Sequence, residues 1–373
     1  MTAETGFEIF LTAPPGLEAA LAGEARAAGF AVQGESPGGV TVAGGWAEVW
    51  RANLVLRGAG RVLLRIGAFR ALHLAQLDKR ARKFPWADFL RKDKSVRVEA
   101  TCRASRIYHH RAAAQRVERA LREELGAPVE AGAELRVLVR IEDDLCTLSL
   151  DTSGVPLHRR GHKQAVGKAP LRETLAALFL RDCGFDGRAP VVDPMCGSGT
   201  FVIEAAEIAA GLAPGRARRF AFEELAGFDA AAWERMKQAH AQPSVTEGFF
   251  GYGSDRDAGA VTAAAANAER AGVARLTRFE RLAVSDARAP EGPPGLVMVN
   301  PPYGGRIGNK KLLYALYGAL GKTLLEGFSG WRMGLVTSEP GLARATGLPF
   351  AAPGPVVAHG GLKLRLYRAG PLS

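Results

Sequence analysis

Apolar positions recur along this chain in two rhythms, and the change from one to the other divides it. Residues 7–11 alternate as a short strand that ends at Pro14-Pro15-Gly16, after which Leu17, Leu21 and Ala25 return at helical spacing until Gly29. Residues 40–42, before Gly44-Gly45, read as a hairpin arm. Strand-like runs at 96–100, 135–141 and 145–150 enclose a helix predicted over 112–125. A helix predicted from 168 to 183 has Pro170 near its start, where helix entry prefers proline. From residue 189 onward apolar runs at 189–192, 249–254, 278–284, 296–299, 331–337 and 362–367 alternate with helical stretches at 201–210 and 258–271. A further helix carries the stripe Leu313, Tyr317, Leu320, Leu324. Strands alternating with helices predict a mainly parallel α/β sheet behind an α+β front half. No solenoid repeat or low-complexity tract interrupts it, and residues 211–248 stand out as a long insertion without an evident role.

Length and composition narrow the setting. The 373 residues suffice for two or three domains, and an apolar fraction of 47% suits packed cores. The formal charge of +11 favours a polyanionic partner, nucleic acid above all, against the plainer reading of an arginine-rich composition. Cys102, Cys146, Cys183 and Cys196 are too dispersed for a C-x-x-C pair, so no metal site is expected. The N-terminus lacks a basic segment followed by an apolar core, and no run of membrane-spanning length occurs, so a cytoplasmic protein without membrane contact is expected.

The candidate chemistry begins at Asp193-Pro194-Met195-Cys196-Gly197-Ser198-Gly199-Thr200, a glycine-rich turn between a strand and a helix. Gly197 and Gly199 let the backbone bend and approach a ligand, while the first helical N–H groups stay available to a carboxylate. No Gly-Lys-Ser/Thr ending follows and a third dinucleotide glycine is lacking, which argues against a phosphate loop and a dinucleotide site. Two more acidic turns follow apolar runs, Ser254-Asp255 and Ser285-Asp286-Ala287. At strand carboxyl ends Asp255 would hold ribose hydroxyls, Asp286 an adenine amino group and Asp193 an α-ammonium, although each alone fits a helix cap equally well. Together they describe an adenosine joined to an amino acid, S-adenosylmethionine. Cys196 lies inside the turn and is grouped with the cofactor residues; no Pro-Cys pair suggests it as a nucleophile.

Asn300-Pro301-Pro302-Tyr303 is the most specific signal. An exocyclic amine on a base is a poor nucleophile because its lone pair is delocalised into the ring. Accepting its two hydrogens at the Asn300 side-chain oxygen and the Pro301 carbonyl favours a tetrahedral nitrogen aimed at a methyl donor. The prolines hold that geometry, and Tyr303 is placed to stack on an extruded base. Asn300 is counted with both the catalytic and the cofactor residues. Further forward, Arg80, Arg82, Lys83, Lys92 and Lys94 crowd around Phe84, Trp86 and Phe89, and Arg159, Arg160 and Lys163 sit in the connection to the back half. These cations are candidate RNA contacts and the aromatics candidate stacking partners; the alternative is a solvated basic face with Trp86 and Phe89 in the core.

The turn at 193–200, the Asn300–Tyr303 motif with Gly304-Gly305-Arg306 after it, and the connection from Leu157-His158-Arg159-Arg160-Gly161 into Lys168-Ala169-Pro170-Leu171 resemble the THUMP-domain RNA guanine-N2 methyltransferases. The resemblance spans nearly the whole chain and is strongest from residue 157 onward. It implies an N-terminal ferredoxin-like segment over 1–65, a THUMP RNA-binding domain over 66–156, and a class I, Rossmann-like methyltransferase domain over 157–373. It further implies S-adenosylmethionine as cofactor and guanine N2 of 23S rRNA as acceptor, with tRNA guanine as the alternative. In cofactor roles it matches Asp193, Gly197, Gly199, Asp255 and Asp286, and in the catalytic role Asn300, Pro301 and Tyr303. DNA adenine-N6 methylation shares the Asn-Pro-Pro-Tyr chemistry but not the basic front half. An inactive RNA-binding or ribosome-assembly factor on the same fold is the reading from another class. Some relatives continue into a second methyltransferase domain; this chain ends at Ser373, so a second methylation by it is not expected.

Overall fold

A computed structural model of the protein describes residues 6–164, 171–241, 249–303 and 310–373. The N-terminal five residues, the helix entry expected at 168–170, residues 242–248 of the insertion and the Gly304-Gly305-Arg306 stretch lie outside the described residues. The chain divides into two compact units. One comprises the chain up to Ala13, Ala25–Leu157 and Arg218–Ala239; the other Pro14–Glu24, His158–Ala217 and the chain from His240.

In chain order the front half reads β1 (Phe7–Thr12), α1 (Glu18–Ala27), β2 (Ala31–Ser36), β3 (Gly39–Gly44), α2 (Trp46–Val55), β4 (Val62–Arg70), α3 (Leu74–Arg82), β5 (Val96–Arg103), α4 (His110–Ala120), β6 (Leu135–Glu142) and β7 (Leu145–Asp151). These strands form one sheet in the order β2-β3-β1-β4-β7-β6-β5, antiparallel except for the β5–β6 pair. Alternation explains the strands: in β6, Leu135, Val137, Val139 and Ile141 point into the core between Arg136 and Arg140. The boundary expected at 65/66 falls inside β4, which pairs with β1 on one side and β7 on the other. The helix expected over 112–125 is α-helical only to Ala120 and continues as a π-helical turn, Leu121–Leu125.

Part of the insertion belongs to this first unit. Residues 218–239 carry a 3-10 turn (Ala221–Glu224), and Phe222 N–H donates to the Thr152 carbonyl at 3.0 Å. Phe222 packs edge-on against Trp233 with ring centres 5.0 Å apart and lies 6.2 Å from Trp50 of α2. Apolar burial of these rings therefore draws the excursion out of the second half of the sequence and into the core of the first unit.

The second unit continues with α5 (Glu173–Asp182), β8 (Val191–Asp193) and α6 (Thr200–Ala209). The excursion's helix, α7 (Ala230–Ala239), belongs to the first unit. Next come β9 (Gly251–Asp255), α8 (Ala258–Ala271), β10 (Thr277–Arg281), β11 (Leu296–Val299), α9 (Lys310–Gly327), β12 (Arg332–Thr337), α10 (Pro340–Ala345), β13 (Val357–His359) and β14 (Leu362–Ala369). Strand order is β10-β9-β8-β11-β12-β14-β13, parallel from β10 to β12, with β14 antiparallel. β8 and β11 are buried at every residue, as strands covered on both faces must be. The chain leaves β8 toward β9 on one side and reaches β11 on the other. That reversal opens the sheet at the carboxyl ends of β8 and β11, where α/β folds bind ligands.

Candidate active site

Parallel register sets the residues that meet at this opening. Asp193 ends β8 level with Gly253 of β9, and Asp255 ends β9 two residues further. Asn300 follows directly on β11, whose Val297 pairs with Val192. A cleft of about 480 Å³ lies over these strand ends. It is lined by Asp193, Cys196, Gly197, Ser198, Thr200, Asp255 and the whole Asn300-Pro301-Pro302-Tyr303 motif. Leu171, from the connecting motif, also lines it, as do Arg256, Asp257, Ala283, Val284 and Leu316, none of which was singled out by the sequence motifs.

The glycine turn is held from both sides. Gly197 N–H donates to Asp255 Oδ2 at 3.1 Å, and the Ser198 carbonyl accepts from Asn267 Nδ2 at 3.1 Å. Gly197 has φ +52° and nothing within 4 Å of where a Cβ would sit, so its need for glycine is conformational and the space above it stays open. Gly199, at φ +83°, does not line the cleft; a Cβ there would meet Ala264, Ile203 and Phe279 at 3.1 Å. Its task is close packing beneath the turn.

Asp193 is 2% exposed, and its Oδ1 accepts from Met195 N–H at 3.1 Å. Burial pushes its carboxyl up to about 8; the Met195 hydrogen bond opposes this and the neighbouring Asp255 charge adds to it. Near neutral pH the isolated site therefore holds Asp193 mostly protonated. Burial also raises the Cys196 thiol well above its ordinary value, so it offers little thiolate. Across the cleft, Asn300 Oδ1 is buried and accepts no hydrogen bond among the described residues. A buried amide oxygen without a donor costs roughly 1–3 kcal/mol, which a ligand amine would recover.

Several sequence expectations are corrected. The strand expected over 278–284 stops at Arg281, and Val284–Asp286 is a 3-10 turn. Asp286 is exposed, accepts from Ser285 Oγ at 3.2 Å and does not line the cleft; Ala287 lines a separate cavity of about 300 Å³. Arg160 and Lys163 do not face RNA. Arg160 is 3% exposed with Nη1 3.2 Å from Glu204, also buried. Lys163 Nζ donates to the Leu171 carbonyl and to Thr200 Oγ1, both at 2.9 Å, and lies 3.5 Å from Glu173. Desolvation lowers its pKa, and these oxygens keep the buried cation in place at the foot of α6. Arg82 is likewise committed to Asp78, Glu123 and Glu124, while Lys94 pairs with Glu224 at 3.3 Å. Arg80, Lys83, Lys92 and Arg159 are exposed. Trp86 is 2% exposed with its Nε1–H donating to the Ala81 carbonyl, so it belongs to the core, and the half-buried Phe84 packs 4.6 Å from it.

Asn267 and Tyr317 are the functional supports that motif reading passes over. Asn267 is fully buried, and a lone amide inside the alanine-rich helix 258–271 was the signal available. Tyr317 passes for a stripe residue, yet its hydroxyl lies 3.3 Å from the Pro302 carbonyl and 3.3 Å from Thr337 Oγ1. Burial raises its pKa, so it stays a neutral donor.

A Rossmann-like sheet with a glycine turn, two acidic strand ends and an Asn-Pro-Pro-Tyr turn in one cleft defines a class I methyltransferase fold. Comparison with known proteins supports that class and narrows it: residues 160–349 match the RMKL-like methyltransferase domain, residues 8–63 the RlmL ferredoxin-like domain and residues 73–151 the THUMP domain. The chain belongs to this family. It is 38% identical over 362 residues to the ribosomal RNA large subunit methyltransferase K/L of Syntrophotalea carbinolica, covering 91% of this chain and 50% of that protein. The chain thus spans about half the length of the curated relatives it matches first. The Synechocystis protein slr0064 is 31% identical, with 96% of this chain and 95% of that one covered. The solved structure of SMU.472 complexed with SAH superposes with a TM-score of 0.88 at 26% identity, covering 99% of both chains.

Replacing Tyr317 by Phe is expected to cost about 1 kcal/mol of stability by leaving the Pro302 carbonyl without its donor. Equilibrium urea unfolding measures this, and an unchanged midpoint would mean that the hydroxyl does not anchor the motif.

Proposed function

We propose that the chain transfers a methyl group from S-adenosylmethionine to the exocyclic N2 amine of a guanine in 23S rRNA. The observation that carries this reading is the buried, unpartnered Asn300 Oδ1 in the same cleft as Asp193, Asp255 and the glycine turn. When bound, S-adenosylmethionine supplies an electrophilic methyl group on a sulfonium. The open space over Gly197 and the polar strand ends suit its adenosine and amino-acid parts. Asp193 receives the α-ammonium, and Asp255, already holding the turn through Gly197, turns its remaining acceptor capacity to the ribose.

On the acceptor side, Asn300 Oδ1 and the Pro301 carbonyl each accept a hydrogen bond from the base amine and draw its lone pair out of conjugation, and the proton that the amine gives up on methylation leaves to solvent. Proline at 301 and 302 removes the backbone donors that would compete for those oxygens. Tyr303 supplies an aromatic wall to the cleft and stacks on the extruded base. Alignment and fixed dipoles supply most of the acceleration, and no covalent enzyme intermediate is required. The exposed cations Arg80, Lys83, Lys92 and Arg159 suit an RNA backbone. The matched THUMP model and the name of the Syntrophotalea relative favour rRNA over DNA.

Incubation with labelled S-adenosylmethionine and separate unmodified 23S rRNA, 16S rRNA and tRNA is expected to yield N2-methylguanosine in 23S rRNA. Label in tRNA alone would reassign the substrate, and label in none would defeat the reading. Asn300→Ala is expected to lower kcat by about a hundredfold or more while the cofactor Kd stays nearly constant; lost cofactor binding instead would mean that Asn300 has another role.

Cofactor affinity should depend on pH in a set direction. Because burial holds the free Asp193 carboxyl at about 8, an incoming ammonium must displace its proton. Affinity should therefore rise up to about tenfold per pH unit between about pH 6 and about pH 7.5, with one proton released on binding. Calorimetry in buffers of different ionisation enthalpy measures this, and a flat profile without proton release would remove Asp193 from the ammonium site.

A further inference from the structure

Helix α9 leads out of the cleft along an apolar ridge. Leu316 lines the cleft with the Asn300–Tyr303 motif, and Leu312, one turn earlier at i−4, lies on the same helix face. Among the described residues Leu312, at 62%, is the most exposed large hydrophobic side chain after Tyr108, and its neighbour Leu313 is buried. Lys310 and Lys311 share the first turn, which holds no acidic residue. Cations at a helix start are not favoured by the helix dipole, so folding of the helix alone does not account for them. An apolar ledge continuous with the base-binding cleft and bordered by positive charge fits a nucleic acid better than a protein partner. Its apolar part meets a base and its charged part meets phosphates.

We infer that Leu312 is a positioning residue for the RNA: its side chain packs against the base next to the extruded one and fills the gap left in the stack. This rests on the base-methylation reading above and goes beyond it by assigning how the extruded state is held. Extrusion costs a few kcal/mol of lost stacking, and apolar wedges such as Leu commonly offset it where duplex or stacked RNA is opened. Leu316 continues the same apolar surface down to the acceptor site, so the flanking base and the target base rest on adjacent turns of one helix.

The test compares wild type, Leu312→Ala and Leu312→Met in methyl transfer to in vitro transcribed 23S rRNA, with transcribed tRNA as a second arm. The same proteins are assayed for S-adenosylmethionine affinity and thermal stability. Leu312→Ala is expected to raise KM for RNA about tenfold, the loss for one buried leucine contact, with cofactor Kd and Tm unchanged. Leu312→Met should restore most of the KM. With 2-aminopurine placed at the methylated position, the fluorescence gain on binding should shrink in Leu312→Ala and return in Leu312→Met. If wild type methylates RNA and Leu312→Ala matches it in KM and fluorescence, the inference is overturned and the methylation reading stands. A fall in Tm or cofactor affinity with unchanged RNA KM overturns it equally, in favour of a packing role. If wild type methylates neither RNA, the reading beneath the inference fails first.

Discussion

The arrangement rests on one topological constraint, the side-by-side parallel alignment of β8 with β9 and β11 about a reversal in strand order. Hydrogen-bond register fixes how far each strand extends, and so how far apart Asp193, Asp255 and Asn300 stand. No single side chain could do this alone. Because β8 and β11 are buried on both faces, slipping β8 by one residue would turn the buried Asp193 to the opposite face of the sheet and replace it at the strand end by an apolar side chain. The chemistry of the cleft is therefore stabilised by the packing of residues that never touch a ligand.

Around that frame the protein places charge where burial makes it costly and then offsets the cost locally. Lys163 reaches Thr200 at the helix start, and Arg270 Nε donates to the His162 carbonyl at 2.7 Å. Asn267, next to Arg270 on α8, holds the Ser198 carbonyl. The connection from the first half of the sequence thereby serves as a brace for the glycine turn. In contrast, Asp193 and Asn300 leave capacity unspent: one carboxyl is kept mostly neutral by burial and one amide oxygen lacks a donor. Braced polar groups around two under-satisfied ones are what a preorganised binding site requires.

The sequence disclosed this site to the extent that its signals were local. Buried parallel strands read as short apolar runs, each ended by a polar turn, and the residues 193–200 and 300–303 lie at such turns. The helix expected over 258–271 coincides with α8, and the strand expected over 296–299 with β11. What failed depended on distant partners. Arg160 and Lys163 look like surface cations until Glu204 and Glu173 are brought to them by folding. Arg82 is taken up by Glu123 and Glu124, some forty residues on. Residues 218–239 look like decoration of the back half because their aromatic partner Trp50 lies far earlier in the chain. Asp286 differs from expectation for another reason: β10 stops at Arg281, and the residues expected to extend it form a 3-10 turn, Val284–Asp286.

The central claim is that the acceptor amine is held by the Asn300 side-chain oxygen within reach of the methyl donor. A crystal structure of the protein with S-adenosylhomocysteine and a guanine-containing RNA fragment tests it most directly. The account predicts the guanine N2 about 3 Å from Asn300 Oδ1 and from the Pro301 carbonyl, a normal hydrogen-bond length, and facing the sulfur. A guanine seated with its N2 away from Asn300, or an Asn300 rotated out of the cleft, would contradict it.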